Sequence, residues 1–122
     1  MKAMRILALG VAVVCAATPA LPPAARAQET VRIGLTGPFT GGSAPLGVSI
    51  RDGVRLAADA INARGGLGGR KLELIERDDE SKPERGIQIA QELTTKEGVI
   101  GVVGIANTPV ALAASRLYQE AK

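Results

Sequence analysis

Three groups of residues in this chain of 122 have types and spacing that suggest chemistry. Asp78-Asp79-Glu80 sets three carboxylates in succession, the raw material of a hard-cation site or of general acid–base work. Asn107 and Thr108 stand directly before Pro109, which is favoured in a first helical turn, so Thr108 is expected as the helix N-cap. The unpaired N–H groups of a helix start and the positive end of its dipole favour an anion, and a hydroxyl beside them adds a donor. Gly65-Gly66-Leu67-Gly68-Gly69 has the glycine density of a phosphate loop. Histidine is absent and the single cysteine is Cys15, so the commonest general base and metal ligand are missing and no nucleophile motif replaces them.

The elements that must carry these groups decide between the possibilities. Val31 to Leu35 reads as a short strand, and the Gly- and Pro-rich stretch Thr36 to Pro45 as a loop at its carboxyl end. Gly47 to Arg64 places Val54, Ala57, Ala58 and Ile61 at helical spacing against Arg51, Arg55, Asp59 and Asn62, an amphipathic helix that Gly65 ends. A second strand follows from Lys71 to Arg77. The glycines thus lie after a helix and before a strand, the reverse of the order a dinucleotide fingerprint requires, which argues against phosphate binding. Asp78 to Glu80 sit at that strand's end, where acidic residues are favoured before a helix start, and Ser81-Lys82-Pro83-Glu84 has capping-box spacing. We therefore read the carboxylates as structural and expect no metal, because a hard cation wants more oxygens than one short loop supplies.

A second helix runs through Ile87, Ala90 and Leu93 to Glu97, and Gly98 stops it. The uninterrupted apolar run Val99 to Val103 is the third strand, suited to burial on both faces, and a third helix presents Val110, Ala113, Ala114, Leu117 and Ala121. The fold class is α/β: three βαβ-type units of a parallel, doubly wound sheet, with the first strand between the second and third. The carboxyl ends of the strands then share one rim, where open sheets of this class bind ligands. Ending at Lys122, on the third helix, the sequence is expected to be the amino-terminal part of something longer.

Residues 1–27 read as a secretory leader rather than fold. Lys2 and Arg5 form a basic start, Ile6 to Ala17 an apolar core too short to span a bilayer before Pro19, Pro22 and Pro23, and Ala25-Arg26-Ala27 a cleavage site, with cleavage after Ala27. Val14 is a poor residue before a lipidated cysteine, so Cys15 belongs to the apolar core of the leader. Of the 15 basic residues Lys2, Arg5 and Arg26 leave with it while all 12 acidic residues stay, so the mature chain is formally neutral. With Phe39 and Tyr118 its only aromatics and no basic cluster, it is not expected to bind nucleic acid.

Taken in order, Ile33-Gly34 with Gly37-Pro38, the run Asp59 to Leu74, Asp78-Asp79 with Pro83, and Val102-Val103-Gly104 resemble the start of a periplasmic branched-chain amino acid (leucine) binding protein, an ABC transporter substrate-binding protein. The resemblance covers about Val31 to Lys122. It implies a type I two-lobed protein of which residues 28–122 are part of the first lobe, located in the periplasm, closing on an amino acid or similar small solute, and delivering it to a membrane permease without chemistry or cofactor. The position matching the family's carboxylate-binding hydroxyl is Thr108, preceded by Ala106 and Asn107; a family loop tyrosine corresponds to Leu46. The same fold also serves as the ligand-sensing ectodomain of signalling receptors, the alternative reading. A Rossmann enzyme would need a glycine fingerprint that Gly34-Leu35-Thr36-Gly37-Pro38 does not provide.

Overall fold

Val31, Ile33 and Leu35 alternate with Arg32, Gly34 and Thr36, and this period of two gives the first strand, β1, two different faces. In the computed structural model, which describes residues 29–121, β1 spans Thr30–Gly37 and is the middle of a three-stranded parallel sheet. β2 (Lys71–Asp78) pairs along one side of it and β3 (Gly101–Gly104) along the other, giving the order β2-β1-β3 that the crossover rule anticipates. The leader expected over residues 1–27, including Cys15, lies outside the described residues.

Helix α1 (Ala44–Ala63) covers the face bearing Val31, Ile33 and Leu35; α2 (Pro83–Thr95) and α3 (Thr108–Glu120) pack together on the other face. That second face is close-packed: Ile89, Ala90, Leu93, Val110 and Ala114 are all buried. Gly86 lets α2 and α3 approach, since a Cβ there would stand 2.5 Å from Val110 Cγ1. Polar ties fix the layers. Asn62 clamps the end of α1 to β2, its Nδ2 donating to the Leu72 carbonyl (2.9 Å) and its Oδ1 accepting from the Leu72 N–H (2.8 Å). Arg77 bridges β2 to α2 and the turn beyond it through Glu92 (2.7 Å) and Glu97 (2.8 Å).

Four sequence expectations are corrected. β3 begins at Gly101, not Val99, because it pairs only with the last half of β1; the backbone enters it through the Ile100 N–H, which donates to the Arg32 carbonyl (2.9 Å). It is also an edge of the described sheet, so Ile100 and Val103 remain 68% and 43% exposed rather than covered on both faces. Helix α1 starts at Ala44, which moves Leu46 from the loop into the first helical turn. Helix α2 stops at Thr95, where the Lys96 and Glu97 N–H groups both converge on the Glu92 carbonyl.

Candidate functional site

Because the strands are parallel and in register, Gly37 lies beside Asp78 and Thr36 beside Gly104, so all three strand ends meet on one rim. The chain after β1 is bolted to the chain after β2. Asp78 Oδ1 accepts from the Phe39 N–H (2.8 Å) and the Glu80 N–H (2.9 Å), and its Oδ2 from the Thr40 hydroxyl (2.6 Å). Burial pushes the Asp78 carboxyl up, but the Thr40 hydroxyl and the Glu80 and Phe39 N–H groups outweigh it and hold it below the ordinary aspartate value. The loop is braced from the helix side as well. The Arg51 guanidinium lies 5.5 Å from the centre of the Phe39 ring, and buried Gly47 meets the Pro38 carbonyl so closely that no side chain fits.

Asp79 is fully buried directly behind this rim. Its N–H donates to the Gly37 carbonyl (3.0 Å), and its Oδ1 accepts from the Ser81 N–H (2.9 Å). Its Oδ2 and the buried Thr36 hydroxyl have no hydrogen-bond partner. Burial drives the Asp79 carboxyl above its ordinary value and the Asp78 charge adds to this, while the Ser81 N–H and the nearby Thr36 hydroxyl oppose it. On the α3 side, burial, aided by the Asp79 charge, pushes the Tyr118 phenol up to about 12. These carboxylates hold backbone. Among the described residues no cluster of three or more His, Cys, Asp or Glu side chains is placed to hold a metal ion.

The crossing from β3 to α3 is tight. Gly104 (φ 126°) lies against the Thr36 carbonyl where a Cβ would collide, and Ile105 (φ 60°), its N–H donating to that same carbonyl (3.1 Å), is a β-branched residue in the left-handed region. The expected cap is corrected here: Asn107, not Thr108, is the N-cap, and Thr108 is the first residue of α3. The reason is geometric, since Asn107 is extended (φ −104°, ψ 127°) and its carbonyl already accepts from the Ala111 N–H (3.0 Å). Its side chain makes no capping bond. The Asn107 Nδ2 instead donates to Ser81 Oγ (2.6 Å), across from the β2 end. Ser81 is likewise no cap of α2: Lys82 takes that position and the capping box does not form, because Ser81 sits at φ 60° with its hydroxyl facing Asn107.

The rim therefore brings together Ala106, Asn107 and Thr108 at an α3 start without a side-chain cap. Ala106 and Asn107 are half-buried and Thr108 is exposed. Leu46, on the first turn of α1, is 53% exposed at the end of the Phe39 loop. Sequence reasoning missed the pairing of Ser81 with Asn107, for which its only signal was a polar residue just beyond each of two strand ends. It also missed Thr36, since a threonine in a strand gives no sign of which side chains it will face.

Residues 30–122 match the family described as periplasmic binding protein. An amino acid binding protein of Pseudomonas aeruginosa is 37% identical over 95 residues, a match covering 78% of this chain and 25% of that protein. Among solved structures, the branched-chain amino acid transporter substrate-binding protein LivJ of Streptococcus pneumoniae, in complex with isoleucine, superposes with a TM-score of 0.74 at 31% identity, covering 76% of this chain and 27% of that one. A solute-binding protein of an ABC transporter from Rhodopseudomonas palustris, in complex with 3,4-dihydroxybenzoic acid, gives 0.67 at 36% identity, covering 75% and 24%. The chain spans about a quarter of the length of these relatives.

Proposed function

The chain belongs to the periplasmic binding protein family, and from that premise we propose that it is the amino-terminal part of an extracytoplasmic solute-binding component of an ABC uptake system, whose solute is an amino acid or a similar small carboxylate. Residues 1–27 are its leader, removed after Ala27 on export to the periplasm, and residues 28–122 supply part of the first of two lobes. Its protein partner is the membrane permease. Support for the solute class comes from the relatives, one named for amino acids and two solved with isoleucine and with 3,4-dihydroxybenzoic acid, both of which carry a carboxyl group.

The observation that carries this reading is the start of α3. Its first amides have no side-chain cap, because Asn107 is turned to Ser81, and they open at the carboxyl end of an edge strand beside the exposed Thr108. A carboxylate seated there would receive N–H groups from the Ala106 to Thr108 segment, the Thr108 hydroxyl and the favourable end of the dipole. Leu46, across the rim, would meet the apolar end of the solute.

Calorimetry on the complete protein tests this. Thr108→Val keeps the shape and removes one charge-assisted hydrogen bond, about 1.5 to 3 kcal/mol, so isoleucine binding should weaken roughly tenfold to a hundredfold. Isoleucinamide, which lacks the carboxylate, should bind the wild type no better than isoleucine binds the variant. Equal affinity of the two proteins for isoleucine would move the solute elsewhere. Intact mass of the exported protein should give Gln28 as the first residue.

A further inference from the structure

We propose that Asp79 is a positioning residue for the solute site: through Ser81 it holds the Asn107 side chain away from its own helix and so keeps the α3 amides open. This rests on the reading of α3 as the carboxylate site. Two aspartates in succession stabilise two left-handed residues in succession. Asp78 Oδ1 takes the Glu80 N–H and Asp79 Oδ1 takes the Ser81 N–H, each spanning two residues, and Glu80 (φ 51°) and Ser81 (φ 60°) are thereby held in a conformation that side chains other than Asn and Asp rarely adopt. Asp79 itself cannot drift, because its N–H is fixed to Gly37 and its carbonyl accepts from the Lys82 N–H (2.8 Å).

The left-handed turn aims the Ser81 hydroxyl at Asn107, 26 residues away, which donates to it at 2.6 Å. An asparagine at an N-cap ordinarily turns its side-chain oxygen onto an amide of its own first turn. At N2 of α3 stands Pro109, which has no N–H, so the amide Asn107 would take is that of Val110 at N3. With Ser81 in place that capping bond is absent. If Asn107 is released, it caps α3 and competes with the solute for the same end of the helix. Full burial of the Asp79 carboxyl is a cost that a solvent-facing turn would avoid. Its place at the junction of all three strand ends lets one carboxyl couple the β2 turn to the α3 start.

The complete protein, unliganded, should show the Asn107 side-chain amide resonances shifted and slow to exchange. Ser81→Gly tolerates the left-handed turn and removes the hydroxymethyl group that meets Asn107; Asp79→Ala removes the support of the turn; Asp79→Asn keeps the Oδ1 acceptor. The first two should release the Asn107 resonances to solvent-like values and weaken isoleucine binding about tenfold, the third should leave both near wild type, and the Asp79→Ala/Ser81→Gly pair should be no weaker than either alone. Unmoved Asn107 resonances in Ser81→Gly would overturn the proposal, and so would multiplying losses of affinity in the pair. If Asp79→Ala does not fold, Ser81→Gly decides by itself. A wild type that binds no isoleucine overturns the solute reading, while the resonances still report on the Asn107 relay.

Discussion

The two faces of the sheet differ in how completely they are closed. Beneath α2 and α3, Ile89, Ala90, Leu93, Val110 and Ala114 leave no more than a sliver of surface exposed. Beneath α1, by contrast, a trough of about 520 Å³ opens among Ile33, Val54, Ile61, Leu72, Leu74 and Val103. The sheet itself is the more apolar on the open side, with Val31, Ile33, Leu35, Leu72, Leu74 and Val103 there against Ile75 and Val102 on the other, so the number of covering helices decides which face closes. One helix reaches over β1 and β2 but leaves β3 bare, whereas two helices that interlock at Gly86 seal the other side. The closed face carries its own imperfection, the buried Asp79 and Thr36 polar atoms. Hydrophobic burial here is limited by coverage on one side and by polar accommodation on the other.

Truncating one leucine on each face tests this contrast. Leu93→Ala on the closed face should cost about 2 to 5 kcal/mol, and Leu74→Ala at the trough less than half of that, because Leu74 is already partly exposed. Urea denaturation of this chain and of the complete protein would measure both. Equal costs in the complete protein would mean that the trough is filled there.

A smaller effect separates the neighbouring aspartates. Asp78 is held below its ordinary value, so its contribution is present above the usual carboxylate range and is lost as pH falls through its folded value. Asp79 is raised. Its folded form holds a proton more tightly than the unfolded chain does, so stability falls as pH rises from the usual carboxylate range through the folded value. Denaturation midpoints followed from acid to neutral pH should therefore show Asp79→Asn gaining on wild type as pH rises, and Asp78→Asn losing most at neutral pH. Parallel profiles for the two variants would contradict the assigned directions.

The smallest change concerns the bare edge. β3 offers unpaired backbone with Ile100 and Val103 exposed and no charge within Gly101–Gly104, the pattern that templates pairing with another chain. Residues 28–122 taken alone should associate in light scattering, and Val103→Lys should shift the population toward monomer. A wild-type monomer at the same concentration would show that the edge is blunted.

Helix and strand identities follow from periodicity that packing merely had to accept: Val54, Ala58 and Ile61 on α1, or Ile33 alternating with Gly34 on β1, admit few other arrangements. Strand order followed too, because right-handed crossovers from a central first strand leave little choice. The rim as a place was equally legible, since Thr36, Asp78 and Gly104 each follow directly on a strand candidate. The caps were not. Ser81-Lys82-Pro83-Glu84 has the spacing of a capping box and Thr108 the type of an N-cap, yet Ser81 faces Asn107 and Asn107 takes the cap position. Local spacing describes what a side chain can reach within its own turn. Whether it does so depends on partners 26 residues away that only the pairing of β1 with both its neighbours brings near. The burial of Asp79 is of the same kind: three carboxylates in a row look alike in sequence, and the tertiary fold put one of them beneath the surface, within reach of Tyr118 on α3, while Glu80 stayed exposed.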